Sequence, residues 1–273
     1  MQGVSTLVPP NSLSGTSVGL SVSDSADLAR LGLAGRHCDL AVAELARAIL
    51  IAGGSIVYGG RLVPTGFTQI LLDEVRGFAE DRDALTICLA PSEHQKLSTD
   101  ELQEYVDELH TSAVIVCLDQ RGRPVELAER DLSDPIDVPT SLTALRQYIS
   151  SISHARVVVG GQLSGYQGSM PGILEEAMIA LRAGQPLYAA GGFGGAAAAV
   201  AKSLGYDDLA WAPSDYPAHI DDAQNALDQL TELAKADLPV DGLEAADRSQ
   251  LATTHRPGDI AALVVSGLAR RRR

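Results

Sequence analysis

The sequence predicts an α/β protein built on a doubly wound parallel sheet. Short apolar runs alternate along the chain with longer segments whose apolar residues recur at helical spacing. The core must be aliphatic, because 45% of the residues are hydrophobic and only 4% are aromatic. Such a composition suits parallel strands that helices cover on both faces. At 273 residues the chain is long enough for one large domain of this kind.

The first half of the chain predicts four strands and the helices between them. A glycine pair at 53–54 ends the first helix, and Ser98 or Thr99 caps the helix before the fourth strand. The predicted strands cover residues 17–23, 55–60, 84–90 and 113–119, and the helices cover residues 38–52, 67–80 and 99–109.

The second half continues the alternation after a charged, proline-rich connection at 120–140. Strands are predicted at 155–161 and 185–192, and helices at 141–153, 171–183, 196–205, 221–236 and 259–271. We therefore expect a flexible N-terminal arm at 1–16, then a single domain at 17–273 whose C-terminal helices begin at about 206. Right-handed crossovers would connect its parallel strands.

Composition narrows the classes of partner. A formal net charge of -14 and a pI near 4.7 argue against binding to a nucleic-acid backbone, which needs a concentrated cationic surface. The three cysteines show no metal-ligand spacing and predict buried thiols in a reducing compartment. The N-terminus lacks the pattern of a signal peptide, and no apolar run reaches about 18 residues. We expect a soluble cytoplasmic protein that binds no membrane, metal or cofactor.

Candidate binding residues follow three of the predicted strands. In a doubly wound sheet, ligands bind at the carboxyl ends of the strands. Ser21 and Ser23 end the first strand, Gly59, Gly60 and Arg61 end the second, and a glycine-rich segment at 160–172 follows the fifth. Arg61 can pair with a phosphate through two hydrogen bonds, although an ordinary surface arginine explains it equally well.

The stretch GSMPGILEEA at 168–177 is the most informative of these segments. Its glycines let a ligand approach the backbone, and Pro171 suits the first turn of a helix. Together with the helix dipole this arrangement predicts an anion site at Gly168, Ser169, Met170, Pro171 and Gly172. A loop that merely turns sharply remains the alternative.

Glu175 and Glu176 lie one turn inside the same predicted helix. Adjacent helical residues point about 100° apart, so only one of the two is expected to face the cleft. Acidic residues near a helix N-terminus are also favourable on dipole grounds alone. The sharper hypothesis gives the acid in the cleft a ribose hydroxyl to bind, or a role as general acid or base.

Other motifs are less specific. GGFGGAA at 191–197 partly matches a dinucleotide-binding pattern, but close packing of an alanine-rich helix against the sheet is the favoured interpretation. The less favoured alternative adds its amides to the same phosphate site. The six histidines show no metal-ligand spacing, and no GxSxG nucleophile motif occurs.

The segments GLSVSDS, SIVYGGRLVPTGF, GSMPGILEEA and QPLYAAGGFGGAA together resemble the SLOG domains. These are Rossmann-like relatives of the LOG phosphoribohydrolases (lysine decarboxylase-like proteins) and of the DprA fold. The resemblance covers roughly residues 17–205, and we expect it to extend to the C-terminal helices. LOG enzymes carry PGGxGTxxE, and laying that motif on 168–176 places its final acid on Glu176, while the leading Pro-Gly-Gly and the Thr are replaced. These departures resemble the sensor branch, whose members bind ADP-ribose and its cyclic isomers.

The resemblance implies binding or sensing of a nucleotide-derived small molecule. Phosphates would lie on Gly59, Gly60, Arg61 and the 168–172 loop, with a ribose near Glu176. The alternative is an N-glycosidic hydrolase or transferase acting on a nucleoside monophosphate or NAD-like substrate, with Glu176 as its catalytic residue. A third possibility is an assembly subunit, because the alanine-rich helix at 194–204 would allow close packing between copies. We expect a homo-oligomer.

Overall fold

The structure, a computed structural model, describes residues 8–62, 65–79, 82–206 and 221–271. Its sheet has seven strands in the order β5-β4-β3-β2-β1-β6-β7. All neighbouring strands run parallel except β4 and β5, which are antiparallel. The strands are β1 Ser17–Ser23, β2 Ser55–Gly59, β3 Leu85–Leu89, β4 Val114–Leu118, β5 Pro124–Val125, β6 Ala155–Gly160 and β7 Leu187–Ala190.

Helices connect the strands and extend to the end of the described chain. They are α1 Gly35–Ile51, α2 Phe67–Phe78, α3 Pro91–His94, α4 Thr99–Leu109, α5 Val138–Ser151, α6 Gly172–Arg182, α7 Gly195–Ser203, α8 Asp221–Ala234, α9 Ala245–Thr253 and α10 Pro257–Arg271. The predicted α/β class with a mostly parallel sheet is confirmed. Short 3-10 turns precede β3 and follow β5 and β7.

Three elements were not predicted. β5 lies in the proline-rich connection, where the Asp119 side chain accepts hydrogen bonds from the amides of Arg121 and Arg123 and so shapes a hairpin. A strand of two residues leaves no alternating pattern to detect. α3 is a single turn, and α9 has too weak an amphipathic pattern to separate it from a loop.

Helices cover both faces of the sheet. On one face α1 and α10 pack over the first core cluster, which includes Val42, Leu45, Ile56, Ile87 and Val264. On the other face α6, α7 and α8 pack over the second core cluster, which includes Val158, Leu174, Met178, Ala199 and Leu230. α5 covers the neighbouring strands on that same face through a third cluster, which includes Val57, Cys88 and Leu145.

This arrangement creates a switch point between β1 and β6. The two strands are neighbours, yet the helices that follow them, α1 and α6, lie on opposite faces of the sheet. A crevice opens at the carboxyl ends of two strands that part in this way, and ligands of doubly wound proteins bind there.

The chain outside the alternating region also belongs to the core. Leu13 is fully buried, and its amide donates to the carbonyl of Ala52 at the end of α1. Part of the predicted N-terminal arm therefore packs on the domain, while residues 1–7 lie outside the described residues. The predicted C-terminal helices are present, and α10 contributes Ile260, Val264 and Leu268 to the first core cluster.

The alanine-rich helix α7 is enclosed within the chain. Every residue from Gly195 to Ala201 is buried, against β6, β7, α6, α8 and α9. The small side chains thus serve packing inside one molecule. The homo-oligomer remains a prediction, but the alanines that suggested it are already covered. Within the described ranges, no helix combines the length and apolar character needed to cross a bilayer.

A buried histidine, His94, is expected to make the stability of this fold depend on pH. His94 is 3% exposed, and its Nε2 donates to the carbonyl of Leu118 at 2.9 Å. Burial lowers the pKa of His94, the Leu118 hydrogen bond opposes that shift, and the nearby Arg130 cation adds to it. With a lowered native pKa, the unfolded chain binds more protons at His94 than the folded chain does. The contribution of His94 to the free energy of unfolding is therefore fully present above a pH of about 6.5 and is lost as the pH falls toward the native pKa.

We therefore expect His94→Gln to lose less stability between pH 7.5 and pH 5 than the original protein does. Glutamine keeps an N–H donor and does not titrate. Each pKa unit of depression corresponds to about 1.4 kcal/mol. Urea unfolding at both pH values measures the difference, with the exposed His110→Gln as control. Equal pH slopes for the original protein and His94→Gln would contradict this prediction.

Candidate functional site

The three predicted segments meet at one edge of the sheet. They follow β2, β1 and β6, which are consecutive neighbours in the strand order. Leu20 of β1 is in register with Tyr58 of β2, and Ser23 of β1 is in register with Gly160 of β6. The sheet thus brings together at its carboxyl edge the residues that the sequence placed in three separate loops.

The end of β1 contributes one buried and one half-buried hydroxyl. Ser21 is 3% exposed, and its Oγ accepts a hydrogen bond from Arg156 Nη1 at 3.3 Å. The Ser23 carbonyl accepts from the amide of Gly161 at 2.8 Å, which joins the loop after β6 to the end of β1. Ser21 therefore lies beneath the edge, whereas Ser23 lies at it.

The end of β2 is held by packing. Gly59 lies directly beneath α5, and the Gly60 amide donates to the Cys88 carbonyl. These contacts account for both glycines without a ligand. Arg61 has a side chain that is 64% exposed, and its Nε lies 3.7 Å from a Glu93 carboxylate oxygen. Of this segment, Arg61 has the greatest freedom to reach a bound molecule.

The loop after β6 ends at the amino end of α6. This helix begins at Gly172, so Pro171 is its N-cap and not the first-turn residue that the sequence predicted. The first intrahelical hydrogen bond runs from the Glu175 amide to the Pro171 carbonyl. Among the residues described here, no protein acceptor receives the amides of the first three helical residues. Ser169 is exposed beside them, and Met170 packs on the second core cluster.

An arginine from α5 lies against this loop. The Arg146 guanidinium pairs with Glu175, which also accepts a hydrogen bond from Thr143 Oγ1 at 2.5 Å. A Cβ on Gly168 or Gly172 would come within 2.9 Å or 2.7 Å of the Arg146 guanidinium. Both glycines leave room for this close approach of the guanidinium. The arginine places a positive charge beside the amino end of α6.

The two adjacent acids point to different layers. Glu175 faces α5, while Glu176 faces the sheet, where its Oε1 lies 3.5 Å from Arg156 Nη1. The Glu176 side chain is 15% exposed. Burial raises the pKa of Tyr58 to about 12, and the negative charge of Glu176 adds to that shift while Arg61 opposes it. Tyr58 therefore stays a neutral phenol near the Glu176 carboxylate.

Arg156 lies in the middle of the sheet and is fully buried. Its guanidinium covers Gly19 of β1, where a Cβ would come within 2.8 Å of the arginine Cζ. Nη1 donates to Ser21 and Glu176, whereas Nε and Nη2 have no hydrogen-bond partner in the described part of the chain. Burial lowers the pKa of Arg156, and the charge of Glu176 opposes that effect.

Sequence reasoning missed both arginines. Arg156 left a signal, because it interrupts the apolar strand run ARVVVGG, where a charge is unexpected. Arg146 left none, since an arginine in an amphipathic helix is ordinary. Its role depends on the packing of α5 against α6, which the pattern of one helix does not reveal.

The amides of the GGFGGAA motif bind within the protein. The Gly195 amide donates to Asp27 Oδ2 at 2.7 Å, and the Ala196 amide donates to the Gly161 carbonyl at 3.1 Å. Together with the burial of α7, these contacts favour the packing interpretation over extra amides for a phosphate. Their effect is to tie the loops after β1, β6 and β7 to one another.

Two cavities of about 290 Å³ each lie away from this edge. One lies between α1, α10 and Pro9, and the other lies beside Tyr206 and Val240. The candidate site lies instead at the carboxyl edge of the sheet, where the segments after β1, β2 and β6 meet. In the described ranges, no group of three or more His, Cys, Asp or Glu side chains could hold a metal ion.

A family model described as SLOG cluster2 matches residues 12–270. The match extends beyond the region 17–205 that carried the resemblance in the sequence, and it includes the C-terminal helices. No curated protein matches the chain.

Proposed function

The chain belongs to the SLOG family, and from this we propose that it binds ADP-ribose or a closely related nucleotide derivative at the carboxyl ends of β1, β2 and β6. Family membership indicates a role in binding or processing a nucleotide-related ligand.

One observation carries the proposal, namely the junction of the loop after β6 with α6. Three helical amides without described protein acceptors, the exposed Ser169 hydroxyl and the Arg146 guanidinium lie together there. Amides at a helix N-terminus and a guanidinium are donors that suit phosphate oxygens. The protein as a whole carries a net charge of -14, so a local group of donors that suit an anion is an exception on its surface.

The position of Glu176 supports a sugar beside the phosphates. Glu176 lies on the same helix, one turn from those amides, and its partly exposed carboxylate faces the sheet. An ionised carboxylate only accepts hydrogen bonds, and two adjacent ribose hydroxyls can donate to its two oxygens. Diphosphate on the α6 amides and ribose on Glu176 would follow the order of these groups in ADP-ribose. In this proposal Arg61 adds a mobile contact to the phosphates.

We expect calorimetric titration with ADP-ribose to give a saturable binding isotherm that Glu176→Gln weakens. The amide keeps the shape of the side chain but loses a charged acceptor, so we expect an affinity loss of about 10- to 100-fold, or about 1.4–2.8 kcal/mol. Cyclic ADP-ribose isomers and mononucleotides complete the panel. The exposed Glu104→Gln in α4 is the matched control and should leave affinity unchanged. No heat of binding across the panel would contradict the proposal.

A glycosidic hydrolase is the second candidate, and the position of Glu176 favours it as well. A partly exposed carboxylate beside a bound ribose could stabilise positive charge developing on the sugar. Chromatography of the titrated ligand separates the two functions. Nucleoside monophosphates and NAD that stay intact after long incubation indicate a binding protein, whereas release of a free base from either, abolished by Glu176→Gln, indicates a hydrolase.

A further inference from the structure

We propose that Arg156 is the positioning residue of this site, which holds the Glu176 carboxylate toward the ribose from beneath the sheet edge. The inference rests on the proposed function, because it concerns how Glu176 is aimed at a ligand. Arg156 itself is fully buried, so it acts through Glu176 and Ser21.

The path of the Arg156 side chain runs toward the carboxyl edge. Arg156 is in register with Gly19, and its Nη1 reaches Ser21, two residues further along β1. The absence of a side chain at Gly19 makes this path possible, since a Cβ there would lie 2.8 Å from Cζ. The chain therefore provides, on the neighbouring strand, the space that this guanidinium occupies.

The energetics of this arrangement favour a functional role. A fully buried guanidinium is costly unless its donors are paired, and an apolar side chain of similar volume is often equally stable or more stable. The contacts of Arg156 offset little of this cost. Its Nη1 lies 3.3 Å from Ser21 Oγ and 3.5 Å from Glu176 Oε1, and its Nε and Nη2 have no hydrogen-bond partner in the described part of the chain. The requirements of the sheet alone do not explain a cation at this position.

The groups around Arg156 identify Glu176 as its target. Burial raises the pKa values of Cys88 and Tyr58 to about 12, so neither supplies a negative charge at neutral pH. Glu175 is already bound by Arg146 and Thr143 on α5. Glu176 is therefore the carboxylate that Arg156 pairs with across the interface between α6 and the sheet.

Two ligands separate positioning from general support of the fold. The first is ADP-ribose, and the second is its analogue whose ribose rings lack the 2′ and 3′ hydroxyl groups. We expect the original protein to prefer ADP-ribose by 10-fold or more. Arg156→Met should reduce that preference at least 5-fold while changing affinity for the deoxy analogue less than 2-fold. A purely structural role would weaken both ligands alike.

Further variants test whether Arg156 acts through Glu176. Arg156→Met combined with Glu176→Gln should lose no more preference than Glu176→Gln alone, and Arg156→Lys should restore part of it because an ammonium can also pair with Glu176. Gly19→Ala displaces the guanidinium without removing it and should likewise lower the preference. Gly77→Ala in α2, where a Cβ meets nothing within 4 Å, is the matched control.

The outcomes distinguish the two claims. If the original protein does not bind ADP-ribose, the proposed function and this inference both fail. If Glu176→Gln loses the preference but Arg156→Met and Gly19→Ala keep it, the inference alone is overturned. Parallel loss in Glu176→Gln, Arg156→Met and the double variant, with partial rescue by lysine, supports it.

Discussion

Replacing Arg146 by methionine is expected to lower the free energy of unfolding by about 3–5 kcal/mol, because it leaves the carboxylate of Glu175 buried without its counter-charge. The side chains of Arg146 and Glu175 are 13% and 7% exposed, so water screens their interaction only weakly. The variant also removes the guanidinium that lies against Gly168 and Gly172, and the loop before α6 loses a contact. Urea unfolding followed by circular dichroism measures the change.

A double-mutant cycle attributes this effect to the pair. Glu175→Met should be similarly costly alone, whereas the double methionine variant should be much less destabilised than the sum, because no buried charge is then left unpaired. Lys235→Met, which breaks an ion pair whose side chains are 65% and 69% exposed, should change stability by no more than about 1 kcal/mol. Additive losses for Arg146 and Glu175 would show that the two side chains do not stabilise each other.

Gly195→Ala is expected to destabilise the protein by about 3 kcal/mol or more. Gly195 has a φ of +64°, where a side chain costs about 1–2 kcal/mol. A Cβ there would also come within 2.1 Å of the Gly161 carbonyl oxygen, so the loop after β6 would have to move. The substitution thus strains the contacts that join the loops after β1, β6 and β7.

Gly165→Ala separates the two causes. Gly165 has a φ of +69°, but a Cβ there meets nothing within 4 Å. It should therefore show the backbone penalty of about 1–2 kcal/mol alone. Thermal unfolding of both variants gives the comparison. Equal losses would mean that the contact between Gly195 and Gly161 is looser than the structure shows.

Much of the fold could be predicted because each element is a local pattern. β1 was predicted at the bounds that the structure has, and the helix at 99–109 follows its capping box of Ser98 and Glu101. β5 and α9 were missed because two residues, or a helix with no clear apolar face, give no periodic signal. The antiparallel edge of the sheet therefore could not be foreseen.

The sequence could predict which loop segments form the candidate site, because it predicts where the strands end. Parallel strands bring their carboxyl ends to one edge, so the segments at Ser23, Arg61 and Ser169 could be grouped before their geometry was known. The arginines could not be grouped in this way, because Arg146 meets its loop across a helix interface and Arg156 meets Glu176 from beneath. Such contacts depend on tertiary packing and not on spacing along the chain.

Local helix geometry predicts the directions of Glu175 and Glu176 but not their partners. Helix geometry predicts that Glu175 and Glu176 diverge, and they face different layers. Geometry alone does not explain why each faces an arginine, the half-buried Arg146 for Glu175 and the fully buried Arg156 for Glu176. That pairing follows from the two surfaces on which α6 packs, with Arg146 on α5 and Arg156 on β6.

A crystal structure grown with ADP-ribose tests the central claim most directly. We expect the diphosphate to lie at the amino end of α6 beside Ser169, with a ribose hydroxyl within about 3.2 Å of the Glu176 carboxylate. Arg156 should remain buried beneath that carboxylate. Ligand density in the cavity between α1 and α10, or anywhere away from the carboxyl ends of β1 and β6, would contradict it.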